Sequence, residues 1–229
     1  MENLPVYISI LFVLTAFLSL WLFGRATHYS KTFLFVIAAW IVFQSVLGIR
    51  GFYSDPAMMT KRFPLLFGPM LVAIIVLFIT PKGKAFIDGL DLKALTIFHI
   101  IRIPVEIVLL QLFTQHVIPR AMSFEGRNFD ILSGISAPII YYLYFVSKKL
   151  SNAGLLIWNI ICILLLLNVV SSAILSLPAR FQEHGFEQAN IALGYFPFLL
   201  LPAALVPMAL FANLAAFRQL LTKKDEIVK

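Results

Sequence analysis

The 229-residue chain is 61% hydrophobic and 13% charged and carries 22 phenylalanines, a composition too apolar for a soluble domain of ordinary surface-to-volume ratio. Its net charge of +7 is not read as a nucleic-acid footprint, because the cations sit between apolar runs instead of forming a basic face on a soluble fold. The runs are long and lack the alternation of a barrel strand. What remains is an all-α, polytopic membrane helix bundle, in which each span satisfies its own backbone groups.

Seven transmembrane helices are predicted, at about residues 5 to 23, 32 to 49, 64 to 80, 92 to 116, 129 to 147, 154 to 175 and 195 to 217. Ahead of the first, MENLPVY places Glu2 where a signal peptide carries its basic region, so this run is read as a retained span flanked by Arg25. The third and seventh follow polar, helix-breaking loops and open alike: Phe63-Pro64 with Pro69 five residues on, and Phe196-Pro197 with Pro202 five residues on. Spans one to three and five to seven then read as two parallel halves, residues 1–80 and 129–218, joined by linker helix 92–116 in a 3+1+3 repeat, with residues 219–229 a cytoplasmic tail. Such a plan resembles the sugar transporters of the SWEET type, although no span holds the Pro-Gln dipeptide expected of them. Seven spans with the N-terminus outside also resemble rhodopsin-like proteins. A covalent retinal is not expected, since no lysine lies between Tyr195 and Phe217.

Orientation follows from the cations. One set of loops and ends holds Arg25, Lys31, Lys82, Lys84, Lys93, Lys148, Lys149, Arg218, Lys223, Lys224 and Lys229; the other holds Arg50, Lys61, Arg62, Arg120, Arg127 and Arg180, offset by six acids that include Glu183 and Glu187. Eleven against six puts the first set in the cytoplasm, with the N-terminus out and the C-terminus in. Tyr7, Tyr53 and Tyr195 near outer ends, and Trp21 and Trp158 near inner ones, are read as interfacial anchors. Cys162, the sole cysteine, lies mid-span and excludes an intrachain disulfide.

The fourth span, LKALTIFHIIRIPVEIVLLQLFTQH, carries the charge a membrane normally excludes. At about 100° per residue His99, Arg102 and Glu106 share a sector of roughly 60°. A charge at the bilayer centre costs on the order of 2.5 to 3.5 kcal/mol, so such residues turn inward and find partners. Two readings follow. In one, Arg102 and Glu106 form an intrahelical pair that pins the helix in the bundle; in the other, they line a polar chamber in which Arg102 receives an anionic or polar small ligand and Glu106, near His99, binds a cation or relays a proton.

Around that chamber, Pro104 loosens the fourth helix, and Pro64, Pro69, Pro197, Pro202 and Pro207 are candidate gating breaks. The loop IPRAMSFEGRNFDILSG sets Glu125 and Arg127 as a lid that meets the ligand, with Asn128 or Asp130 available to cap the fifth helix. A metal is not expected, because His28, His184 and His116 lie at other depths than His99 and zinc takes three or four protein ligands. No nucleophile motif or other cofactor is indicated.

The function expected is a small-molecule transporter or ligand-binding carrier of a bacterial inner membrane. The alternatives are a signalling or assembly protein in which the polar residues of the fourth helix are structural, and an intramembrane enzyme acting on a lipidic substrate. The partners expected are the lipid bilayer and a small anionic or polar ligand, with no nucleic acid.

Overall fold

Each long apolar run becomes a helix, and the breaks fall where proline removes an N–H or polar residues stop the run. The computed structural model describes residues 4–177, 182–186, 188 and 190–227; Glu2, Arg180, Glu187 and Lys229 of the charge count lie outside them. In chain order the helices are α1 (Val6–Ala26), α2 (Lys31–Ile49), α3 (Pro56–Ile79), the short α4 (Pro81–Asp88) and α5 (Leu92–Phe98). A tighter 3-10 turn at His99–Ile101 leads into α6 (Arg102–Thr114). Then come α7 (Ile131–Tyr141), widening into a π turn at Tyr142–Val146, α8 (Asn152–Leu175), a π turn at Leu201–Leu205, and α9 (Val206–Ile227). No strand occurs among the described residues.

Six of these helices are long and apolar enough to cross a membrane; the fourth of the six is the continuous stretch Leu92–Thr114. The segment expected as a fifth span of seven is shorter, Ile131–Val146, about 24 Å of rise against a hydrocarbon core of about 30 Å. The third helix starts earlier than expected. Pro56 opens it at a position where the missing N–H is no loss, and Pro64 and Pro69 lie within the helix instead of delimiting it.

Leu92–Thr114 and Leu201–Thr222 are the most deeply buried of the spans, whereas α2 and α3 expose most of their surface. What holds α2 in place is specific. A proline leaves the carbonyl four residues before it without its helical donor. The indole of Trp40 donates to the carbonyl of Ala203 at 2.8 Å, four residues before Pro207, and Gln44 Nε2 donates to the carbonyl of Leu65 at 3.3 Å, four residues before Pro69. One turn of α2 thus satisfies both proline-bearing helices. Gln44 Oε1 also accepts from the Tyr53 hydroxyl at 2.8 Å. Tyr53, expected at the interface, is therefore a fully buried core residue.

Replacing Gln44 with leucine orphans the Leu65 carbonyl and the Tyr53 hydroxyl together. A loss of about 1 to 3 kcal/mol is expected, read as a lowered unfolding midpoint of the detergent-solubilised protein, with Tyr53→Phe costing less.

Candidate functional site

Pro104 sits in the first turn of α6, and the chain just before it tightens to a 3-10 turn. Onto this break α7 packs closely. A Cβ at Gly134 would stand 2.8 Å from Ile103 Cγ1 and 3.0 Å from the Ile103 nitrogen, so the small residues of α7 let its backbone approach the helix that carries the charges. His99, Arg102 and Glu106 are all buried, at 1%, 3% and 1% exposure.

The three find separate partners. Arg102 Nη1 is paired with the Asp130 carboxylate and also donates to Ser133 Oγ at 3.2 Å and to the Cys162 carbonyl at 3.3 Å. Asp130 stands at the start of α7 but its side chain caps nothing; it takes the guanidinium instead. Glu106 is bound by Asn128, whose Nδ2 lies 2.7 Å from each carboxylate oxygen and 3.0 Å from the Met122 carbonyl. Asn128 Oδ1 accepts from the Asp130 backbone N–H at 3.0 Å, so one short segment supplies both partners. His99 packs edge-on against Trp158, ring centres 5.5 Å apart, and the indole of Trp158 donates to Ser136 Oγ at 2.9 Å. Trp158, expected as an anchor, is buried.

The intrahelical Arg102–Glu106 pair is absent; the arginine reaches across to the next helix. Of the loop residues expected to meet a ligand, the Glu125 and Arg127 side chains are exposed, while the Arg127 carbonyl accepts from Asn168. Asn128 and Asp130 reach the centre in their stead. Both were legible only as helix caps; the signal that marks them is an intramembrane arginine in need of an acid.

Two features show that the network is not closed. Asn128 Nδ2 has two hydrogens for three acceptors, so the carboxylate of Glu106 holds acceptor capacity that no donor fills. Arg102 Nε and Nη2 and His99 Nδ1 are buried without a hydrogen-bond partner. Glu106 and Asp130 both border a cavity of about 60 Å³ otherwise walled by apolar side chains, among them Phe63 and Phe67 of α3, Leu166 and Val169 of α8 and Pro202 of the π turn. That is room for a few water molecules or a small ion, well below the 300 Å³ at which drug-sized ligand pockets begin.

The candidate gating prolines divide. Pro202 borders this cavity, while Pro207 borders a second one, described below. Pro104 shapes the break on which α7 packs. Pro64 and Pro69 lie in continuous helix, and Pro197 lies in the turn that precedes the π segment. Among the described residues no three His, Cys, Asp or Glu side chains are grouped so as to hold a metal ion.

Fold and site together define a multi-pass helical membrane protein with a charged cluster buried between its helices. The chain belongs to the family described as "Domain of unknown function (DUF8737)", whose model matches residues 61–221. The match takes in residues 99–162, which hold every residue of the cluster, from His99 and Arg102 to Asp130 and Cys162. No curated protein and no solved structure matches the chain.

Proposed function

We propose that this protein is a small-molecule carrier of the bacterial inner membrane that binds a proton or a small cation at Glu106. One observation carries the reading. The cluster of Arg102, Asp130 and Glu106 holds one cation against two carboxylates. The arginine is committed to Asp130, and the surplus carboxylate borders a water-sized cavity. An intramembrane acid so placed is the usual mark of an ion or proton path.

Seven spans with the N-terminus outside, halves 1–80 and 129–218 around linker helix 92–116, and movement at the proline-bearing α3 and α9 complete the proposal. The distribution of cations supports the orientation, and the pairing of both proline helices through α2 supports concerted movement. The polar or anionic small ligand expected from the sequence then travels with the bound cation or proton.

The assembly reading has its own support: Asn128 contacts both oxygens of Glu106, as a structural contact does. Reconstitution separates the two. Proteoliposomes carrying the purified chain, driven by an imposed pH gradient and potential, are expected to acidify, with Glu106→Gln at least tenfold slower and its unfolding midpoint little changed. Absent flux in the natural protein, together with a destabilised Glu106→Gln, overturns the carrier and leaves the assembly protein.

A further inference from the structure

A second cavity, of about 410 Å³, lies between α2 and α3 and is floored by α9. Its size falls within the range of small-molecule sites, and its walls are almost wholly apolar. Phe23, Phe33 and Phe86 form one end, with Phe33 and Phe86 stacked at 5.1 Å and Phe23 and Phe33 at 5.5 Å. Toward the other end the walls are Ile37 of α2, Met70 of α3 and Pro207 of α9. On α2 the lining runs from Ser30 to Ile37, about 10 Å of rise against the roughly 30 Å hydrocarbon core of a bilayer, and Ser30 and Thr32 mark the end nearest the start of α2.

Charge identifies what enters it. Lys31 stands between the groove-lining Ser30 and Thr32. Lys82 lies one turn before the groove-lining Phe86, on the same face of α4, and the Phe33–Phe86 stack holds the two helix starts together. Both lysines are exposed, and neither forms an ion pair among the described residues; Asp88 on the same short helix is taken by Arg218 in a bidentate pair at 2.7 and 2.9 Å. Cations at the mouth of an apolar groove between helices are the chemistry that holds an acidic headgroup.

We infer that this groove binds one acyl chain of an anionic phospholipid, with the phosphate held by Lys31 and Lys82 beside the Ser30 and Thr32 hydroxyls. The site is separate from the Glu106 cavity and stands whether or not the carrier reading does. Because α3 and α9 line both cavities, the bound chain braces the two proline-bearing helices from the lipid side.

The test is lipid competition. The full chain in neutral detergent is offered equal amounts of phosphatidylglycerol and phosphatidylcholine with identical acyl chains, and retained lipid is counted by mass spectrometry. Phosphatidylglycerol is expected to be retained at least tenfold over phosphatidylcholine. Lys31→Gln and Lys82→Gln are each expected to lower that preference about fivefold. Ala73→Trp, at an exposed position on the groove wall, fills the space and removes the retained lipid while the lysines remain. Equal retention of the two lipids by the natural chain, an unchanged preference in the double lysine variant, or full retention in Ala73→Trp each overturns the site.

Discussion

Asp130→Ala is expected to destabilise the protein by about 3 to 5 kcal/mol, the usual consequence of removing one partner of a buried ion pair. The cause is what remains. Arg102 is 3% exposed and already has Nε and Nη2 without partners; without Asp130 its charge is met only by the Ser133 hydroxyl and the Cys162 carbonyl. The double variant Arg102→Met with Asp130→Leu removes both charges and is expected to recover most of the loss, since apolar groups of similar size replace such pairs at little cost. Glu106→Gln is expected to cost less than Asp130→Ala, because the amide oxygen still accepts from Asn128. Unfolding of the solubilised protein by heat or denaturing detergent reads all three. An Asp130→Ala loss below about 1 kcal/mol, or a Glu106→Gln loss larger than it, shows that Arg102 is balanced by Glu106 after all.

The half of this cluster carried on α6 was legible because a membrane makes charge conspicuous. Apolar periodicity set the depth and the shared face of His99, Arg102 and Glu106, and desolvation cost required them to be buried. The other half was not legible, because its partners come from 22 and 28 residues away. At a helix start Asn and Asp carry an equally good local explanation as caps. The same limit applied to the aromatics. Tyr53 and Trp158 sit near span ends, where anchoring accounts for them, and only the packed bundle shows the hydrogen bonds to Gln44 and Ser136 that bury them.

The proline-bearing helices add a transferable reading. Pro69 and Pro207 each leave the carbonyl four residues earlier without its helical donor, and donors on α2 meet both. Trp40 and Gln44, one turn apart on α2, are those donors; a glutamine in mid-span reads from the sequence as an interhelical hydrogen-bonding residue, whereas the indole of Trp40 carries no such signal. Composition marks residues 129 to 147 as a span, and the helix that forms there is Ile131–Val146; just ahead of it Asn128 and Asp130 are turned inward to Glu106 and Arg102.

That inward segment depends on a glycine, and its loss is expected to be nearly as severe. A Cβ on Gly126 would stand well inside van der Waals contact of the Arg120 carbonyl oxygen, 2.7 Å from its carbon and 3.0 Å from the Ala121 Cα. All three are backbone atoms that cannot rotate away. The Gly126 N–H also donates to the Ser123 carbonyl at 2.9 Å, and Asn128 N–H to the same oxygen at 3.3 Å, so displacing residue 126 displaces the amide that binds Glu106. Steric strain of about 1 to 3 kcal/mol then adds to the cost of a buried acceptor left unpaired, about 1 to 3 kcal/mol. Gly126→Ala is therefore expected to lose about 2 to 6 kcal/mol, whereas Gly89→Ala, whose Cβ would meet nothing closer than 3.5 Å, is expected to be nearly neutral. A cycle with Asn128→Ala gives the decisive reading. If the glycine acts by seating Asn128, the two losses do not add; full additivity assigns Gly126 to the turn alone and leaves Glu106 held by other means.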